Sequence, residues 1–80
     1  MKRKAISVIE LCDESGGITP LCVVAGGKRY EVDKVLSVTR HAPDVECVSP
    51  MRYDCIVCGV KKTLYRDGYP SQKWFSVVSG

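Results

Sequence analysis

The sequence predicts an all-β protein, a small antiparallel β-barrel or strongly curled sheet of about five to seven strands. Three observations lead there. Turn-forming clusters recur at short intervals: Asp13-Glu14-Ser15-Gly16-Gly17, Gly26-Gly27, Ala42-Pro43-Asp44, Ser49-Pro50, Gly59 and Asp67-Gly68-Tyr69-Pro70. The apolar stretches between them run for about five to ten residues, and none repeats at the i, i+3, i+4, i+7 spacing of a helix. Several instead alternate apolar and polar residues with period two, as a half-buried strand does.

From Lys4 to Cys12, Ile6 and Val8 share one parity, whereas Ile9 and Leu11 share the other. The slip predicts a β-bulge in this stretch, or a strand covered on both faces. Leu21 to Ala25 and Lys28 to Val32 flank Gly26-Gly27, a pair suited to a two-residue hairpin whose turn needs positive φ. On the return strand Tyr30 and Val32 share one face, and Arg29, Glu31 and Asp33 the other. Leu36 and Val38 are expected to continue the inward face, with Ser37 and Thr39 outward. Residues 41–50 read as a loop, since Pro43 and Pro50 donate nothing to a ladder. A second hairpin joins Met51–Cys58 to Lys61–Arg66 through a turn around Gly59, and Lys73 to Val78 closes the fold.

Eighty residues enclose one core, so residues 1–80 form a single domain. No apolar run approaches the ~18 residues of a membrane helix. Glu10 and Asp13 interrupt what would be the apolar part of a signal peptide, so a cytoplasmic protein is expected. The formal charge is +3. Residues 1–46 carry seven bases and seven acids, while residues 47–80 set Arg52, Lys61, Lys62, Arg66 and Lys73 against Asp54 and Asp67. The whole excess therefore lies in the second half, which permits an anionic partner.

Five cysteines, Cys12, Cys22, Cys47, Cys55 and Cys58, form an odd set whose default reading is reduced and mostly buried. Cys55 and Cys58, followed by Gly59, have the spacing of half a zinc knuckle, making them the candidate metal ligands. A structural site needs four ligands; Cys12, Cys22, Cys47 and His41 are the others at hand, and none forms a second close pair. The plainer reading places Cys55 on the Tyr53/Val57 face and Cys58 on the opposite one, where they cannot share a metal. A redox pair is a third reading, lacking the helix that lowers such a thiol's pKa.

A second constellation interleaves Tyr53, Tyr65, Tyr69, Trp74 and Phe75 with Arg52, Lys61, Lys62, Arg66 and Lys73. Small barrels bind single-stranded nucleic acid with such residues, stacking bases on aromatic rings while cations follow the backbone. The competing demand is the core, which needs these large side chains. Because Trp74 and Phe75 are adjacent, one is expected to face inward and the other to be exposed, unless both faces of the strand are covered. Gly26-Gly27-Lys28-Arg29 is either a phosphate-holding tip or, more plainly, a solvated one.

Catalysis has little to draw on. His41 is the sole histidine, it has no neighbouring nucleophile, and no phosphate-binding loop, nucleophile elbow or dinucleotide fingerprint occurs. No enzyme and no cofactor are expected.

Ile18-Thr19-Pro20-Leu21 leading into Gly27 to Leu36, Arg52-Tyr53-Asp54-Cys55-Ile56-Val57, and Lys73-Trp74-Phe75 together resemble a family of short uncharacterised proteins of Clostridium-like Gram-positive bacteria. The likeness covers most of the chain from Ile18 to Val77. It implies a cytosolic bacterial protein, and association of such relatives with translesion polymerase genes implies an accessory role in DNA repair or replication. It carries over no site residue. Ala25-Gly26 stand where the family has an aromatic-acidic pair, and Cys58 departs from its pattern.

The expected architecture is a Src-homology-3-like or OB-like barrel. The expected function is a non-catalytic binding module whose edge strands and loop tips engage a protein partner. The alternatives are a single-strand nucleic-acid binder, using Arg52, Tyr53, Lys61, Lys62, Tyr65, Arg66, Lys73, Trp74 and Phe75, and a zinc or redox module through Cys55 and Cys58.

Overall fold

Two tight hairpins set the sheet. Gly26 and Gly27 have φ of 58° and 76°, and Cys58 and Gly59 have 49° and 78°. Positive φ at both central residues twists the turn in the sense that the flanking strands require. The glycine-rich tip was expected; the second tip asks a cysteine to adopt the left-handed region. Its backbone is held there by two contacts, Cys58 N–H donating to Glu31 O at 3.1 Å and Gly59 N–H to Asp33 Oδ2 at 2.8 Å.

The computed structural model describes residues 2–40, 50–68 and 71–78. The readings made for His41, Pro43, Cys47 and Tyr69 fall outside them. Seven antiparallel strands form one strongly curled sheet: β1 (Lys2–Ala5), β2 (Ser7–Cys12), β3 (Ile18–Ala25), β4 (Lys28–Arg40), β5 (Met51–Val57), β6 (Val60–Arg66) and β7 (Trp74–Val78). Their order is β1-β7-β6-β5-β4-β3-β2. The two outermost strands are thus consecutive pieces of chain separated only by Ile6, so the sheet curls until its ends meet. Ile6 N–H donates to Trp74 O at 3.2 Å at that corner. Among the described residues no helix is long and apolar enough to cross a membrane.

Bulges produce the curl. Leu21 in β3 is an extra residue between the Ile9↔Cys22 and Glu10↔Pro20 pairs. Asp33 and Leu36 are extra residues in β4, so its contacts with β5 run Val32↔Val57, Val35↔Cys55 and Val38↔Tyr53. Each extra residue reverses the parity and deepens the local twist. The inward residues of β4 are therefore spaced by three, not two.

This corrects two readings. Leu36 does not continue the inward face; it is the unpaired bulge residue, 47% exposed, and Val35 packs on the core instead. Val38 does lie on the face of Tyr53, but at a rim that leaves it 45% exposed. The irregularity expected between Lys4 and Cys12 falls between Ile9 and Glu10, with the extra residue, Leu21, on the facing strand β3. Ile6 and Val8 pack on the core, while Ile9 and Leu11 are exposed on the outer face.

The core lies along the inner face of β5, β6 and β7, where Tyr53, Cys55, Val57, Leu64 and Trp74 are buried together, and Pro20 lies fully buried. Burial follows period two along β5, through Tyr53, Cys55 and Val57.

The bulge assignment has a direct test in chemical denaturation. Val35→Ala is expected to cost about 1–2 kcal/mol as a partly buried truncation, and Leu36→Ala to remain within about 0.5 kcal/mol. The reverse ranking would restore the simple alternation.

Candidate functional site

The inner face of the sheet divides into a filled end and an open one. At the filled end β2, β6 and β7 each contribute one residue to a clasp. Arg66 donates from Nε to Glu10 Oε1 at 3.0 Å and from a terminal nitrogen to Oε2 at 3.3 Å, a bidentate pair. Trp74 Nε1–H donates to the same Oε1 at 2.7 Å. The Trp74 ring lies 4.9 Å from Tyr53, tilted by 48°. The Arg66 hydrogen bond holds the Glu10 carboxyl below its ordinary value of 4.5, partial burial opposes it, and the Trp74 bond adds to the lowering. Glu10 was absent from the sequence candidates, although it continues the parity of Ile6 and Val8.

At the open end lies an apolar trough of about 490 Å³. Ile6, Val23, Val57 and Leu64 form its floor and walls, Ala25 and Tyr30 reach it from the first hairpin, and Cys58 and Val60 from the second. Lys62 and Ser76 supply polar groups at the side between β6 and β7. A volume of this size suits a small ligand or several side chains. The trough is open there because β6 and β7 pair only at Tyr65↔Phe75 and Arg66↔Trp74. Toward Val60 the two strands separate, and among the described residues the outer edge of β6 from Val60 to Leu64 carries no ladder.

The direction of the free groups follows from the hairpin. Across a two-residue turn the flanking residues Val57 and Val60 form a hydrogen-bonded pair, and such pairs alternate along the ladder. Val60, Lys62 and Leu64 therefore address β5 with their main chain, whereas Lys61 and Thr63 direct N–H and C=O outward at the slot. The side chains alternate the other way: Lys62, opposite Cys55, faces the trough, and Lys61 and Thr63 face the outer surface. There Thr63 Oγ1 donates to Asp54 Oδ1 at 2.9 Å, alongside Ser37 Oγ to Oδ2 at 3.1 Å. The Thr63 bond is the main reason that Asp54 sits below the usual aspartate range.

The expected exposed aromatic is not found. Trp74 is 5% exposed and Phe75 is 6% exposed. Both faces of β7 are covered: Trp74 enters the core, and on the opposite side Phe75 stacks on Tyr65 at 5.3 Å beneath the Arg3 guanidinium, 4.0 Å from its ring centre. Tyr53 is buried as well. Arg66 is bound to Glu10, and Arg52 pairs with Asp54 at 3.3 Å. Of the proposed nucleic-acid residues, Lys61, Lys62 and Lys73 are exposed and take part in no ion pair among the described residues. The aromatic-basic constellation is thus split between core, outer stack and surface.

The cysteine pair is split too. Cys55 is 0% exposed and its thiol is pushed up, chiefly by burial. Cys58 is exposed, not as a strand residue of the opposite face but within the turn. Cys12 is exposed and Cys22 buried, and among the described residues no three His, Cys, Asp or Glu side chains converge as metal ligands.

No protein-family model, curated protein or solved structure matches the chain.

Two measurements check this geometry. Brief alkylation of native protein is expected to label Cys12 and Cys58, and to reach Cys22 and Cys55 only after unfolding; labelled Cys55 in the native state would contradict its burial. The Glu10 carboxyl, depressed by folding, contributes stability that is present above pH 4.5 and lost as pH falls through its lower folded value. Glu10→Gln should lower stability at pH 7 by about 1–2 kcal/mol and flatten the acid limb below pH 4.5; an unchanged limb would exclude Glu10 as its source.

Proposed function

We propose that this protein is a non-catalytic binding module that takes up an extended segment of a protein partner along β6. One observation carries the reading: among the described residues the outer edge of β6 from Val60 to Leu64 is without a ladder directly beside an apolar trough. An added strand gains affinity from main-chain hydrogen bonds to such an edge and specificity from alternate side chains that enter a pocket. Lys61 and Thr63 offer the N–H and C=O groups, and the trough between Ile6, Tyr30 and Leu64 offers the pocket. Natural edges left open in this way are usually guarded. Here the guard is charge on Lys61 and Lys62, which deters indiscriminate pairing and leaves the edge available to a partner of suitable composition. The family resemblance would place such a partner in DNA repair or replication.

The arrangement favours this over a nucleic-acid platform, because the rings that stacking needs are already buried or stacked on one another.

Amide hydrogen exchange tests the reading. Lys61 and Thr63 amides are expected to exchange quickly in the free protein and to become protected when a short β-forming peptide binds. Lys61→Pro, which removes an outward N–H without touching the β5 ladder, is expected to keep the fold and reduce peptide binding at least about tenfold. Peptide binding that leaves both amides exchanging, or that survives Lys61→Pro intact, would reject strand addition at β6.

A further inference from the structure

We infer that the segment seated on β6 is acidic, with an aspartate or glutamate adjacent to, or two residues from, a large apolar side chain. The inference rests on the strand-addition reading and adds the chemistry of the occupant. Lys62 faces the trough between Val60 and Leu64, and Lys61 faces outward one residue away. Across the slot Ser76 of β7 lines the trough, and on β1, beyond β7, Lys4 pairs with Ser76 and is exposed. None of these three lysines has an ion-pair partner among the described residues. The carboxylate that does lie on the inner face, Glu10, is fully engaged by Arg66 and Trp74. The slot thus combines an apolar cavity with uncompensated positive charge on its β6 bank and one further lysine on the strand beyond β7.

Strand geometry turns that combination into a sequence pattern. A residue of the added strand opposite Lys62 shares the inner face with those opposite Val60 and Leu64, two positions away on either side. An acid opposite Lys62 and an apolar side chain opposite Val60 or Leu64 are therefore two residues apart. An acid opposite Lys61 is adjacent to that apolar side chain and points outward. The trough volume of about 490 Å³ accepts a leucine or an aromatic ring without displacing the core. A second copy of this chain is a poor occupant, since β6 against β6 would bring the Lys61 and Lys62 pairs of both copies together.

The probe is a set of end-capped, fluorescein-labelled hexapeptides. Each holds leucine at its third position and glutamate, glutamine or lysine at the fourth and fifth. The glutamate peptide should bind tightest and lose about three- to fivefold per glutamate replaced by glutamine. Its affinity should fall further as sodium chloride rises from 0.05 to 0.5 M, values chosen for the assay around the screening range. Lys62→Glu, at an exposed position that the fold does not need, should reverse the order and favour the lysine peptide. Equal affinity of the three peptides, with Lys61 and Thr63 amides protected by each, would overturn the acidic preference while leaving strand addition in place. Failure of every peptide to protect those amides would remove both. Concentration-dependent dimerisation abolished by Lys61→Pro, or binding of decanoate or a dT10 oligonucleotide with the edge amides still exchanging, would assign the slot to another occupant and overturn the inference.

Discussion

The Glu10 clasp is the contact on which the curl depends. A sheet whose first and last strands in order are consecutive in sequence stays curled only if something draws β2 toward β7. The backbone supplies one hydrogen bond at the corner, from Ile6 to Trp74. Glu10 adds three hydrogen bonds from two strands at once, beside the packing of Ile6 and Val8 on the core. Bidentate geometry is well suited here, because it satisfies both carboxylate oxygens while fixing the Arg66 plane near the indole. The clasp also resolves a problem peculiar to tryptophan. A buried indole brings a donor that costs free energy if unmet, and Glu10 meets it at 2.7 Å.

Charge in such a position is a specificity device before it is a source of stability. Partial removal of a carboxylate and a guanidinium from water offsets part of what their attraction returns. What the pair does without ambiguity is penalise alternatives: any register in which β2 slips by one residue turns Glu10 outward and strands Arg66 on the inner face. The bulges at Leu21, Asp33 and Leu36 act in the same direction, since each fixes a single pairing frame on its strand. Asp33 has a second use, its carboxylate accepting from Gly59 N–H. That bond ties the bend of β4 to the second hairpin and helps keep Cys58 in a backbone region that its side chain disfavours.

Much of the fold was legible in the residues. Short apolar stretches, frequent turns and two hairpin tips sufficed for the class, the strand number and both tight turns. Bulges were not, because period-two reasoning assumes an unbroken pleat: one inserted residue moves every later side chain to the other face. Leu36 shows this, being placed inward by alternation and outward by the bulge. The site was less legible. The aromatics of the C-terminal half invited a surface reading, but adjacency of Trp74 and Phe75 forces exposure only if one face of β7 lies bare. Arg3, sixty or more positions away, and Tyr65 cover that face. No local pattern announces a contact of such separation. Glu10, by contrast, was readable: an acid in phase with Ile6 and Val8 on the inward parity calls for a buried cation or donor.

The place of the open end follows from side-chain reach. Opposed faces of a packed sheet lie roughly 10 Å apart, a distance that must be bridged from both sides. At the clasp end the rings of Trp74 and Tyr53 are long enough to meet, 4.9 Å apart. At the hairpin end Val23, Ala25, Val57 and Val60, together with the longer Ile6, Tyr30 and Leu64, leave about 490 Å³ unfilled. The strands respond by separating, and β6 parts from β7 two residues beyond the Arg66↔Trp74 pair. The cavity and the unpaired edge are therefore one feature, both bounded by β6 from Val60 to Leu64. A partner segment that brought its own apolar side chain would complete the packing and the ladder in a single step.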